Sequence, residues 1–153
     1  TLQHEDYLIV SGNAELSTYE NILSKVNCKL VLDVDGYLLK KLLYLKPFLV
    51  KPNDQELKEI SEDVEEAYRI LLRDAEYVLH TKGKEGATLL YKQKRYEVLG
   101  QSVQEISTVG CGDAALAGFL AHYLQGSSLK ECLNFSNECG LFRAKTGQFL
   151  IQN

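Results

Sequence analysis

The 153-residue chain contains no methionine and no tryptophan, and only two prolines and three histidines. Its four cysteines, Cys28, Cys111, Cys132 and Cys139, fall at no CxxC spacing. With so few histidines beside them, they suggest neither a zinc site nor a disulfide framework. Reduced thiols in a cytoplasmic protein are the expectation. No stretch approaches the roughly 18 consecutive apolar residues of a membrane-spanning helix, so no membrane role is expected. Basic charge is scarce as well. Seventeen Lys and Arg face 21 Asp and Glu, for a net charge of −4, and the lysines lie among acids in segments such as VKPNDQELKEISEDVEEAY. That distribution offers no footprint for a nucleic acid. Internal repeats and low-complexity linkers are also missing. The opening TLQHEDYLIV has neither an initiator methionine nor a signal segment and enters a strand pattern at once, as a chain cut open would.

What is present is ordinary for a globular chain: 45% apolar and 25% charged residues. A chain of this length hides roughly 70% of its unfolded surface, enough for one domain with a real core. Strand-length apolar runs, DYLIVSG, CKLVLDVD, FLVKPN and EYVLHT, alternate with amphipathic stretches, the pattern of a parallel α/β sheet. Between the first two, LSTYENILSKVN carries Ser17 and Glu20 at capping-box spacing. GYLLKKLLYL repeats leucine at helical spacing and stops at Pro47. A further helix is expected over about residues 64–73. GATLLYKQKRYEVLG reads as a hairpin turning at KQKR. Two helices close the chain, one over residues 112–125 and one opened by a second capping box, Ser128 with Glu131.

The stretch STVGCGDAALAGF, residues 107–119, holds the most chemistry. Gly110 and Gly112 let a backbone approach a ligand with no Cβ in the way, and the helix behind them turns free N–H groups and a positive dipole end toward the same place. Such a site suits an anion. Asp113 then needs another task beside the phosphate: holding a metal, or taking the proton of an attacking alcohol. Two other readings stay open on the residues alone. One is a plain turn with an acid in the first helical turn. The other is a dinucleotide fingerprint, since GCGDAA fits G-x-G-x-x-A, but the acid that pattern needs about twenty residues on falls near Glu131, inside an expected helix.

The same stretch resembles the signature of the PfkB family of ribokinase-like carbohydrate kinases, T-x-G-A-G-D followed by a helix with A-G-F. Four further segments match in family order. FLVKPNDQEL is similar to the K-P-N-x-x-E-L segment of the 1-phosphofructokinase and tagatose-6-phosphate kinase branch, and TKGKEGATLL to its S-x-G-x-x-G-A stretch. VSG resembles the start of its S-G-S-L-P loop, and LDVDG its D-x-[SD]-G. The resemblance implies a ribokinase-like, Rossmann-type three-layer α/β fold: a mostly parallel sheet flanked by helices, with the hairpin near the nucleotide site. It identifies residues 1–153 as a single domain, the C-terminal nucleotide-binding portion, with the N-terminal sugar-binding half and lid absent.

Residue by residue, the resemblance implies an anion hole at Gly110, Cys111 and Gly112, with Asp113 as the base that deprotonates a sugar hydroxyl while it attacks the γ-phosphoryl group of ATP. Thr81, Gly83, Gly86 and Asn137 fall where the family lines the nucleotide, although Gly86 also suits a hairpin entry and Asn137 an ordinary helix position. Asn53 and Glu56 match an N-x-x-E element that organises Mg²⁺, and the same spacing makes a plain capping box; the two roles are compatible. The implied partners are a small-molecule sugar phosphate and, for the intact protein, a second copy in a homodimer, with ATP and Mg²⁺ as cofactors. Departures are Lys82 for a usual leucine, Cys111 for alanine, and the short, proline-free SGNAEL in place of the S-G-S-L-P-P-G loop. The expected activity is therefore an ATP-dependent sugar-phosphate kinase, weak or silent in these 153 residues alone. A nucleotide-binding domain without chemistry is the alternative, and a dinucleotide-binding oxidoreductase a more distant one.

Overall fold

The computed structural model describes residues 2–102 and 104–150. The chain divides into two compact units, Thr1–His80 with Leu90–Lys94, and Thr81–Leu89 with Arg95–Asn153. Among the described residues six strands form one sheet in the order in which they occur in the sequence, β1 to β6.

In the first unit, β1 (Tyr7–Ser11), β2 (Lys29–Asp33), β3 (Leu49–Val50) and β4 (Tyr77–Thr81) are successive parallel neighbours, with Leu8 opposite Leu30, Val31 opposite Leu49 and Leu49 opposite Tyr77. Val31, Leu32, Leu49, Val50, Val78 and Leu79 are all 0% exposed. Consecutive strand residues face opposite ways, so both sheet faces are covered, which is why these runs are continuously apolar rather than alternating. The crossovers carry α1 (Leu16–Leu23), α2 (Gly36–Leu42), and then α3 (Asp54–Ile60) and α4 (Val64–Leu72). Leu23, Leu39, Leu42, Leu57 and Leu71 deliver their buried faces into one core cluster. Each such leucine contributes on the order of 1.5–3 kcal/mol by leaving water. Gly36 sits where a Cβ would lie 2.1 Å from the carbonyl oxygen of Glu56, so only glycine lets α2 start this close to α3.

Two expectations need correction here. Ser17 and Glu20 form no capping box: α1 already begins at Leu16, and its N-cap is Glu15, which makes no side-chain cap bond. FLVKPN yields only a two-residue strand: the Lys51 N–H still donates to the Leu32 carbonyl at 3.0 Å, but Pro52 has no N–H for the ladder. The helix expected over about residues 64–73 is α4, set off from α3 because Ser61 leaves helical geometry (φ −158°) and Asp63 caps the new start by accepting from the Glu66 N–H. The stop at Pro47 holds: a short 3₁₀ turn over Leu43–Leu45 ends on Lys46 in the left-handed region.

In the second unit, β5 (Gly86–Tyr91) and β6 (Lys94–Leu99) are the two hairpin strands, the last residues of β5 belonging to the first unit. Gly86 has φ 106°, and a Cβ on it would stand 2.0 Å from the Val98 carbonyl. The hairpin entry thus demands glycine. Helix α5 (Cys111–Leu124) packs on α6 (Leu129–Thr146) through small residues: the buried Ser136 hydroxyl donates to the Ala115 carbonyl at 2.8 Å, and a Cβ on Gly118 would lie 2.7 Å from the Cys139 sulfur. Ser128 and Glu131 form the expected capping box, and α6 ends at Gly147 with φ 67°.

Candidate active site

In the first unit the polar groups gather where the parallel strands end. That carboxyl edge is where open α/β sheets bind ligands. Asp33 is the last residue of β2 and Lys51 follows β3; the Lys51 ammonium donates to Asp33 Oδ1 at 2.9 Å, with side chains only 6% and 11% exposed. Beside them α3 opens on Asn53. Its Oδ1 accepts from the N–H groups of Gln55 (2.9 Å) and Glu56 (3.0 Å), while Glu56 Oε2 accepts from the Asn53 N–H at 2.9 Å. Asn53 and Glu56 therefore meet in a complete capping box. Burial pushes the Glu56 carboxyl above its usual 4.5, and the Asn53 N–H and the Lys51 charge pull the other way. Next in the same turn, Asp54 Oδ1 accepts from the ring Nε2 of His80 (2.9 Å), whose Nδ1 meets the Tyr68 hydroxyl at 2.7 Å. His80 is 2% exposed, so this chain of bonds ties α3 and α4 to β4 from inside.

Among the described residues no group of three or more His, Cys, Asp or Glu is arranged to cage a metal ion. The donor set fits a looser attachment. Glu56 Oε2 is held by the cap, leaving Oε1 for water-mediated contact, the mode suited to Mg²⁺, which keeps several waters.

In the second unit the glycine turn is built by local bonds. Ser107 Oγ accepts from the Val109 N–H (3.2 Å), the Thr108 carbonyl accepts from the Cys111 N–H (3.3 Å), and Gly110 takes φ 79° between them. The left-handed glycine swings the chain into α5 without a Cβ penalty. Of the expected anion-hole amides, that of Cys111 is thus engaged in the turn. The Gly112 and Asp113 N–H groups donate to no backbone carbonyl among the described residues. Asp113 lies exposed in the first turn of α5, and its carboxylate makes no hydrogen bond or ion pair to another described residue. Burial raises the Cys111 thiol above its usual 9.0, the positive charge of Arg143 opposing that shift.

The remaining candidates gather at the hairpin entry, where the Gly86 N–H donates to the Gly83 carbonyl and the Leu99 backbone beside Gly86 accepts from Asn137. Thr81 ends β4 half-buried; Gly83 opens a 3₁₀ turn at φ 55° with free space around it; Gly86 is held by the hairpin. The Asn137 amide donates to the Leu99 carbonyl, at 3.5 Å. Glu131 caps α6 rather than ending a strand, which removes the acid that a dinucleotide fingerprint requires.

Sequence reasoning missed three features. Lys51 and Asp33 each close an apolar run with a charge, which is the signal that would have paired them. His80 is the one polar residue inside the buried run YVLH, a placement that calls for internal partners. Arg143 gave no signal, since a basic residue in the last turn of α6 reads as dipole compensation. Yet its Nε donates to the Val109 carbonyl at 3.0 Å, its Nη1 donates to the Gly147 carbonyl, and its guanidinium lies 4.6 Å over the Phe149 ring.

Residues 3–148 match the profile of the pfkB family carbohydrate kinases, and the chain belongs to that family. It is 30% identical to 1-phosphofructokinase of Bacillus subtilis, with 92% of this chain and 51% of that protein covered. It is 33% identical to D-tagatose-1-phosphate kinase of Bacillus licheniformis, covering 90% of this chain and 51% of the relative. The chain spans about half the length of the curated relatives it matches. Among solved structures, phosphofructokinase-2 from Escherichia coli in complex with substrates and products superimposes with a TM-score of 0.79 at 24% identity, over 90% of this chain and 50% of that one. That likeness fixes the fold as the ribokinase-like three-layer α/β class.

Proposed function

We propose that the chain is the nucleotide-binding portion of a kinase that moves the γ-phosphoryl group of ATP to a hydroxyl of a phosphorylated ketohexose, of the 1-phosphofructokinase or tagatose-6-phosphate kinase kind. The observation that carries this reading is the mouth of α5: a left-handed Gly110, two amides with no backbone acceptor among the described residues, and the exposed Asp113 carboxylate beside them. Family membership across residues 3–148 supports it. In this reading residues 1–153 form one portion of a cytoplasmic, homodimeric enzyme whose sugar-binding half and lid lie outside them.

The acceptor oxygen attacks the γ-phosphorus, the bond from phosphorus to the departing ADP oxygen breaks, and the hydroxyl proton passes to Asp113. A carboxylate is a weak base for an alcohol, so the contribution of Asp113 is orientation of the attacking oxygen and receipt of a proton that leaves late. The Gly112 and Asp113 amides, with the backbone of Gly110 and Cys111 shaping the turn, offset the charge spreading over the phosphoryl oxygens. Thr81, Gly83, Gly86 and Asn137 are the nucleotide-lining candidates. Bound Mg²⁺ would neutralise the phosphate oxygens, with Asn53 and Glu56 holding it through water.

The competing reading is a domain that binds nucleotide without chemistry, favoured by the short loop after β1, where Gly12 to Glu15 lead directly into α1. Asp113→Asn in the full-length protein separates the two. We expect kcat to fall by about 10²- to 10⁴-fold with MgATP affinity nearly unchanged. Equal turnover of variant and parent removes Asp113 from the mechanism, and failure of fructose 1-phosphate, fructose 6-phosphate and the tagatose phosphates to accelerate ATP loss leaves only a binding domain. The 153 residues alone are expected to bind MgATP weakly without turnover, and normal sugar phosphorylation by them contradicts the assignment.

A further inference from the structure

We propose that Arg143 is a polyphosphate-positioning residue of the glycine turn: it clamps the turn through the main chain and presents its remaining N–H groups to the terminal phosphate of a nucleoside triphosphate. The inference rests on the phosphate-binding reading of α5 given above.

Arg143 projects from the last turn of α6, yet its contacts lie with the segment that enters α5. Its Nε donates to the carbonyl of Val109, the residue before Gly110, and its Nη1 to the carbonyl of Gly147. The N–H groups of Ile106 and Ser107 donate to the carbonyl of the adjacent Ala144 at 2.8 and 3.4 Å, so the whole approach to the turn is sewn to this end of α6. A Cβ on Gly110 would stand 3.2 Å from Arg143 Nε and 3.7 Å from Nη2. The cation is therefore at the turn itself, and Gly110 is needed both for its φ and for the space the guanidinium takes.

The charge balance is the second strand of the argument. A guanidinium carries five N–H donors, and among the described residues only two of its nitrogens meet carbonyl partners. No carboxylate among the described residues, Asp113 included, forms an ion pair with it. Here the neighbour is the positive end of α5, which adds charge of the same sign. A fixed cation set against like charge, held rigid by two carbonyls and an aromatic face, is complemented by an anion of more than one charge. The Nη2 group, with no acceptor among the described residues, is the donor left for it, and the planar fork suits phosphate oxygens.

Calorimetric titration of the 153-residue chain and its Arg143→Gln and Arg143→Lys variants with MgATP, MgADP and AMP tests this. We expect Arg143→Gln to weaken MgATP by about tenfold and AMP by under about twofold, with Arg143→Lys in between because it keeps the charge but loses the fork. A loss equal for all three nucleotides, or none, overturns the assignment, because a merely structural role cannot scale with phosphate number. Inorganic tripolyphosphate distinguishes failure of this inference from failure of the kinase reading. Tripolyphosphate bound by the parent and lost in Arg143→Gln upholds Arg143 even if no adenine nucleotide binds; a parent that binds MgATP while Arg143→Gln binds it equally well rejects Arg143 alone; a parent that binds neither probe rejects both.

Discussion

The ion pair of Lys51 and Asp33 illustrates how a single residue can carry both structure and chemistry. Both side chains are nearly out of water, so removing one partner strands the other charge. Lys51→Met is expected to cost about 3–5 kcal/mol in urea unfolding, and adding Asp33→Leu should recover most of that loss. A double variant no more stable than Lys51→Met shows that the two side chains do not act as a pair. Glu56 bears on pH in the opposite sense to a salt-bridged acid. Its folded carboxyl sits above 4.5 because of burial, so as pH rises from 4.5 the unfolded chain releases this proton first. The folded state binds more protons in that window, and stability falls as pH rises through it and stays reduced above. Glu56→Gln keeps an oxygen for the Asn53 N–H and should gain in melting temperature relative to the parent between pH 4.5 and neutrality. A relative loss over the same range contradicts the burial argument.

At the scale of helices and strands, the capping signals separate what sequence spacing can and cannot tell. Asn53 with Glu56 and Ser128 with Glu131 cap α3 and α6 as their spacing suggests, whereas Ser17 with Glu20 has the same spacing and caps nothing. The difference is the start of the helix: Leu16 is apolar and finds cover, so α1 begins one residue before the serine. We expect Asn53→Ala and Ser128→Ala each to cost about 1 kcal/mol, and Ser17→Ala almost nothing, in thermal or urea melts. Equal costs for all three substitutions reject this account. Strand positions were legible for a simple reason: Val31, Leu32, Val78 and Leu79 lie in uninterrupted apolar runs that only a sheet covered on both faces uses. The start of α4 near residue 64 and the cap of α3 at Asn53 and Glu56 were legible too, whereas the stop at Ser61 was not, because Ser61 resembles an ordinary helix residue until its backbone is seen to extend.

For the molecule as a whole, the glycine turn announced itself because glycines are rare and their spacing is tied to one chemistry. Its supports did not. Arg143 follows Val109 by 34 residues, and nothing local in RAKTG points back to the turn. His80 and Asp54 are 26 positions apart and meet only once β4 and α3 are in place. Local patterns thus reveal the part of a site made by backbone, while side chains that arrive from other elements need the fold.

The strand order carries one more consequence. Each strand of the sheet takes its place next to the one synthesised just before it. No strand must be held unpaired while a distant segment is made, so chain closure at every step spans only one connection and its entropic cost stays low. Assembly can therefore advance in the direction of translation, each newly emerged strand docking on an edge already formed, and the hydrophobic runs that invite aggregation remain exposed only for the time needed to make the next crossover.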